Sequence, residues 1–353
     1  MKIFTIILGI RFFPLMKLFL RNGITPFPVY IIKFLMLLQS SLFSSVLTLV
    51  ERINYFTKIR ETEITKPPIF IIGHWRTGST YLHQLFNLDS QFTTPNMVQT
   101  AIPDHFLFST KYYVPILKRA LPKKRPMDNV PLSPFAPQEE EFALIRMGSE
   151  SPIEKLIFPS KKRYFLEGYD QYIPEEKKLV VWKKNLYIFF KKLTILTGKQ
   201  IVSKNPYHTM RISLLADMFP GARFIHIKRN PMVVVPSTIR MWNIVASDNK
   251  LKKGWKKPTT DEVSSVLSSY VEYVVEESKK LSRHQFVEVQ FENLEKDPLT
   301  ELKRIYVELD LPFTDTFEMQ VIRFLSENKD FKKNSYQLSE EDKAIINKYP
   351  VLH

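Results

Sequence analysis

Residues 67–88 read PPIFIIGHWRTGSTYLHQLFNL, and the reading of this stretch decides the fold. Pro67 and Pro68 start an extended segment. Ile69, Phe70, Ile71 and Ile72 then form a short apolar run bounded by breakers, the pattern of a strand buried on both faces. Gly73 opens a loop that reaches Gly78, and from Ser79 onward Tyr81, Leu82, Leu85 and Phe86 recur at helical spacing. Strand, glycine-flanked loop and helix form the frame of a phosphate-binding loop, whose backbone N–H groups and helix N-terminus attract an anion.

The spacing Gly73-x-x-x-x-Gly78 is that of the nucleotide triphosphatase loop, which continues with Lys and then Ser or Thr. Here Ser79 and Thr80 follow Gly78 directly, and the cation has moved inside the loop to Arg76. That displacement argues against ATP or GTP hydrolysis and for another phosphate-bearing donor.

Residues 200–242 repeat the rhythm. Gln200–Lys204 reads as a strand that Asn205 and Pro206 end. A helix burying Met210, Leu214, Leu215 and Met218 is expected next, stopping at Pro220-Gly221. Ala222–Ile227 is a second strand, and Asn230-Pro231 opens another helix with Pro at its tolerated first position. This alternation predicts a parallel sheet with ligands at the strand C-termini. Lys204, His208 and Arg229 all lie at or just beyond such ends. No carboxylate follows the strand at 222–227, which leads instead to Lys228 and Arg229, so no Mg²⁺-organising acid is present there and no metal is implied. Farther on, Thr259 and Glu262 have the spacing of a capping box, and Phe286–Phe291 reads as a strand.

Gly73, His74, Trp75, Arg76, Thr77, Gly78, Ser79 and Thr80 together resemble the 5′-phosphosulfate loop of sulfotransferases that use 3′-phosphoadenosine 5′-phosphosulfate (PAPS). The likeness is to the bacterial branch, with Arg in place of the cytosolic enzymes' Lys. Arg229 followed eight positions later by Ser237 is similar to the family's 3′-phosphate motif. An Arg offers a planar fork for phosphate, and a Ser hydroxyl adds a neutral donor. Arg125–Val130 and Pro137–Phe142 resemble two further blocks of the bacterial enzymes. Phe331-Lys332-Lys333-Asn334 resembles the late basic segment that closes over the 3′-phosphate.

The resemblance implies a P-loop-type three-layer α/β fold around a doubly wound parallel sheet. It also implies transfer of a sulfuryl group from PAPS to an acceptor hydroxyl or amine. Arg76, Lys204 and the loop amides are then expected to stabilise charge on the bridging 5′-phosphate oxygen, with Ser79 and Thr80 as hydroxyl donors. Tyr81 is either an adenine-stacking residue or a core aromatic, and Phe291 stands where many relatives place a Tyr against adenine. His208 follows Lys204 at nearly the family's interval for its catalytic His, and an imidazole can accept the acceptor's proton. The acids Glu139, Glu140 and Glu141 are the alternative, as a base or as a solvated helix start.

The chain of 353 residues has 51 Lys and Arg against 36 Asp and Glu, a net charge of +15. Such an excess suits a polyanionic nucleotide, an anionic membrane or nucleic acid. No zinc-finger or RNA-recognition signature is present, so nucleic acid is not an expected partner. The absence of Cys excludes disulfides and Cys-ligated metals.

Residues 1–66 read as a separate hydrophobic segment ahead of a catalytic domain at 67–353. Residues 3–20 are apolar but carry Arg11, Pro14 and Lys17; residues 29–50 are long enough to span a bilayer yet hold Lys33, Gln39 and several Ser. Three readings are open: helices in the membrane interface, helices packed on the catalytic domain, or a spanning helix. The expectation is a protein at the cytoplasmic face of a membrane, acting on a hydroxyl-bearing lipid or lipid-linked glycan. The rival functions are a P-loop kinase or NTPase and a non-catalytic, membrane-bound anion sensor.

Overall fold

The computed structural model describes residues 6–23, 28–122, 131–160, 166, 175–329 and 336–352. Two helices, α1 (Phe12–Asn22) and α2 (Pro28–Glu61), precede the first strand β1 (Ile69–Ile72), and α3 (Ser79–Phe86) follows the loop. All four β1 side chains are buried, as an apolar run at a sheet centre must be. The other strands are β2 (Phe92–Thr93), β3 (Gln200–Lys204), β4 (Arg223–Lys228) and β5 (Phe286–Gln290). They form one parallel sheet in the order β2-β3-β1-β4-β5, so β1 lies between β3 and β4.

Alternation along β1 builds the three layers. Phe70 and Ile72 face Trp182, Leu186 and Phe190 of the helix Glu176–Thr197. Ile69 and Ile71 face Leu82, Leu85 and Phe86 of α3. The apolar face of Glu176–Thr197 read from the sequence is core, and Lys192 is buried beside it.

The segment after β3 differs from the expected single helix. Pro206–Arg211 is a 3₁₀ helix, broken at Met210 (φ −92°, ψ 18°), and the α-helix starts only at Ile212. Pro206 fixes the first turn, and the Asn205 side chain accepts from Tyr207 N at 3.0 Å, which sets a tight entry. The tighter winding turns Tyr207, His208, Thr209, Met210 and Arg211 all into the protein. The capping box at Thr259 and Glu262 is present, and Phe291 begins a helix instead of ending β5.

The N-terminal helices pack on this body. Ile10, Leu15, Leu18 and Phe19 share a core cluster with Trp75, Ile145 and Tyr207. Among the described residues, α2 is the one helix long and apolar enough to cross a membrane by length and composition.

Candidate active site

Parallel pairing brings the functional strand ends together. Ile71 is in register with Lys204, the last residue of β3, and Ile72 with His226 of β4. The loop from Gly73 therefore starts between the ends of β3 and β4, where the strand order reverses and ligands bind in open sheets.

Two glycines shape the loop. Gly73 has φ 139°, and a Cβ there would lie 2.5 Å from the Ile227 carbonyl oxygen. Gly78 has φ 98°, and a Cβ there would lie 2.0 Å from Phe291 Cδ2. Thr209 braces the start: its hydroxyl accepts from Gly73 N at 2.8 Å and donates to Gly73 O at 3.1 Å. Thr77 Oγ1 donates to His74 O at 2.8 Å across the loop. Arg76 sits at the crest with φ 71°, a left-handed conformation costly for a side chain larger than Gly and held here by the bonds around it.

The loop side chains divide into two sets. His74, Trp75 and Thr77 are buried and point inward. Trp75 meets Tyr207 and Trp242 edge-on, each at 4.9 Å. Burial holds the His74 imidazole at about 4, so it is neutral at physiological pH. These residues present the loop through backbone. Arg76, Thr80 and Tyr81 are partly exposed.

Arg76 Nε donates to Ser237 Oγ at 2.9 Å, Ser237 Oγ donates to Tyr336 Oη at 3.2 Å, and Thr238 Oγ1 donates to Trp75 O at 3.3 Å. The Arg229 guanidinium stacks 4.3 Å over the Phe291 ring, the ring against which Gly78 is pressed. Tyr81 lies between Phe291 and Phe324, each 6.4 Å away. Arg76, Ser237, Arg229, Phe291 and Tyr81 thus share one rim. Lys332, Lys333 and Asn334, with the block 125–130, lie outside the described residues.

The acidic block sits on the other side of the loop. Glu139 pairs with Lys204 and is only partly buried. Glu140 accepts from Ser203 and, at 2.8 Å, from Asn205 Nδ2. His208 Nε2 approaches Glu140 Oε1 to 2.6 Å, off the hydrogen-bond line. Glu141 accepts from Asn205 Nδ2 at 3.0 Å and Arg211 Nη1 at 3.1 Å. Burial pushes the Glu140 carboxyl up, but the adjacent His208 imidazole and the bonds from Ser203 and Asn205 outweigh it and hold the group at about 2.

Glu140, Glu141, Asn205, His208 and Arg211 have no exposed surface. His208 stands edge-on to Phe70 at 5.4 Å and to Trp182 at 5.9 Å, and Arg211 lies 4.6 Å over Trp182. The 3₁₀ turn thus leaves His208 with no exposed surface. Of the sequence's candidate bases, Glu139 alone reaches the open side. Ser203, Asn205, Thr209, Arg211 and Tyr336 were not singled out from sequence; Asn205 and Thr209, flanking His208, were the readable signals.

Residues 67–315 match the sulfotransferase family, over more than half the chain. The chain belongs to that family. Omega-hydroxy-beta-dihydromenaquinone-9 sulfotransferase Stf3 of Mycobacterium tuberculosis is 36% identical to this sulfotransferase over 313 residues. The match covers 88% of this chain and 79% of the relative, and the Mycobacterium bovis protein of the same name matches equally. Sulfotransferase STF9 from Mycobacterium avium has the same fold, with a TM-score of 0.69 at 16% identity over 95% of this chain and 94% of its own. STF1 from M. tuberculosis aligns with a TM-score of 0.61 at 17% identity, covering 94% and 90%. Both folds match nearly the whole chain. The protein is an enzyme that transfers a sulfuryl group.

Proposed function

We propose that this sulfotransferase moves the sulfuryl group of PAPS to a hydroxyl on an apolar acceptor at the cytoplasmic face of a membrane. The hydrogen bond between Arg76 and Ser237 carries the donor assignment, since it joins the two segments that read as 5′-phosphosulfate and 3′-phosphate sites. The loop fits such a donor: Gly73 and Gly78 keep its backbone bare, and α3 directs its N-terminus at it. Ser79, Thr80 and the loop amides hold the 5′-phosphosulfate. Arg229, Ser237 and, by resemblance, Lys332, Lys333 and Asn334 hold the 3′-phosphate, while Tyr81 and Phe291 offer ring surface to adenine. No metal enters this reading.

As the sulfur–oxygen bond to the 5′-phosphate breaks, negative charge grows on the oxygen left behind. Arg76 and Lys204 stabilise that oxygen. Lys204 leaves Glu139 to do so, and the freed Glu139 carboxylate takes the acceptor's hydroxyl proton as the new sulfur–oxygen bond forms. The products are the sulfated acceptor and adenosine 3′,5′-bisphosphate. In this scheme His208, Glu140 and Glu141 act together as the support that aims residues 139 and 204.

Two observations favour an apolar acceptor. The mycobacterial relative is named for an omega-hydroxylated dihydromenaquinone. The outer faces of α1 and α2 expose large aliphatic and aromatic side chains. Residues 67–353 carry the transfer chemistry, and residues 1–66 supply the apolar face.

The deciding experiment pairs calorimetry with a transfer assay. Adenosine 3′,5′-bisphosphate should bind far more tightly than AMP or ATP with Mg²⁺. Labelled PAPS should pass its label to hydroxylated isoprenoid quinones in preference to small phenols. Equal affinities would sink the donor reading, and transfer to phenols alone would sink the acceptor reading.

A further inference from the structure

The outer side of α2 carries Leu35, Leu42, Val46, Leu49, Ile53 and Phe56, each more than half exposed. Their spacing of seven, four, three, four and three keeps them on one face over about 30 Å of helix. A soluble surface seldom leaves so long an apolar row uncovered. The opposite side of α2 is fastened to the catalytic body along nearly its whole length. Lys33 Nζ donates to Asp248 O at 3.2 Å, Ser44 Oγ meets His105 Nε2 at 3.4 Å, and the Arg60 carbonyl accepts from Lys191 at 2.9 Å. Glu51 forms a buried ion pair with Lys192 at 2.5 Å and accepts from Phe108 N at 3.0 Å.

A helix fastened in this way cannot cross a bilayer without tearing the buried ion pair between Glu51 and Lys192. The neighbouring α1 follows the same plan. It buries Leu15, Leu18 and Phe19, packs Phe19 on Phe34 of α2 at 5.1 Å, and leaves Phe13 and Leu20 more than 80% exposed. Because both helices turn their polar or packed side to the same body, their apolar rows look outward together.

Charge selects the partner. Residues 1–61 hold eight Lys and Arg and two acids, Glu51, whose charge is spent on Lys192, and Glu61, which pairs with Arg60. Lys17, Arg52 and Lys58 are exposed around the row. Two copies of this face would bring like charges together, whereas an anionic leaflet complements them.

We propose that α1 and α2 form a platform that seats the enzyme on an anionic bilayer, with α2 lying in the membrane plane and its inner face still docked on the catalytic domain. This deepens the membrane setting of the proposed function. Its test reads attachment without any acceptor, so either reading can fail alone.

Full-length protein should float with vesicles of phosphatidylglycerol and phosphatidylcholine, and at least tenfold less with phosphatidylcholine alone. The triple variant Leu42→Gln, Val46→Gln, Leu49→Gln should lose at least tenfold in flotation. Calorimetry should show its affinity for adenosine 3′,5′-bisphosphate unchanged, which certifies its fold. Flotation of this variant at the full-length level, or a wild type that stays soluble and elutes as a dimer the variant cannot form, overturns the platform. Because the chain has no Cys, single Lys17→Cys and Lys58→Cys variants can be labelled cleanly. In inverted membrane vesicles from a bacterial expression host, both should react with an impermeant maleimide. Protection of one and labelling of the other means that α2 crosses, and the in-plane arrangement fails.

Discussion

Arg76 Nε and Ser237 Oγ are 2.9 Å apart across 161 residues of chain. The Ser237 hydroxyl accepts from Arg76 and donates to Tyr336, so both of its hydrogen-bonding roles are committed at the rim. The loop after β1 and the helix Pro231–Asn249 thus meet directly at the rim.

Replacing either partner disturbs both subsites. Ser237→Ala should weaken adenosine 3′,5′-bisphosphate by about 1.5–3 kcal/mol, the range for a hydrogen bond to a charged group. Combining it with Arg76→Lys should cost less than the sum of the single changes, because each already removes their shared bond. Calorimetry on the four proteins of the cycle checks this, and strict additivity would show the bond to be incidental.

Glu139 and His208 should separate cleanly in kinetics. Glu139→Gln is expected to lower turnover by about a hundredfold to ten-thousandfold with donor affinity retained. His208→Ala is expected to lower the melting temperature, since it empties a buried ring site between Phe70, Trp182 and Glu140. Should His208→Ala keep full stability while abolishing turnover, the base is His208 and the assignment to Glu139 is wrong.

Gly78 admits no side chain. Gly78→Ala would place a methyl 2.0 Å from Phe291, whose ring is backed by Arg229, at a φ of 98° that Ala seldom adopts. Donor binding should fall at least tenfold, and Phe291→Leu in the same chain should restore part of the lost stability but not the loop shape. Wild-type affinity in Gly78→Ala would contradict this packing.

Stability should decline with acid from near pH 6.5. Burial holds the imidazole of His74 at about 4 and those of His83 and His105 at about 3, against 6.5 in an unfolded chain. Between those values the unfolded chain binds more protons, so acidification favours unfolding. Glu140 extends the loss: its carboxyl, at about 2 against 4.5, stabilises fully above 4.5 and progressively less toward 2. Glu51, Asp104 and Glu154, pushed up by burial, act in the opposite sense. The informative measurement is therefore the difference between wild type and His83→Leu, whose melting temperature should fall less steeply from pH 6.5 to 4. Parallel curves would refute it.

What the sequence made legible is what neighbours in the chain decide. The apolar run of β1, the glycine pair, the start of α3 at Ser79 and the Pro-led helix after Arg229 are local patterns, and each stands where its residues place it. The sequence hid what a small change in winding decides. One 3₁₀ turn buries His208, and no periodicity distinguishes it from the first turn of an α-helix. Lys33, Ser44 and Glu51 look like flaws in an apolar stretch when read alone. In space they are the docking side of α2, because their partners come from residues 105 to 248.

That wiring orders events during synthesis. Lys33 finds its acceptor, the Asp248 carbonyl, 215 residues later, and Arg60 waits 131 residues for Lys191. Through most of translation the nascent chain carries α2 with both its apolar row and its polar side unpaired, a state prone to aggregation. A membrane surface or a chaperone that shields the apolar row would leave the polar side open for the body to close on. The same row that seats the finished enzyme would then also guard its assembly.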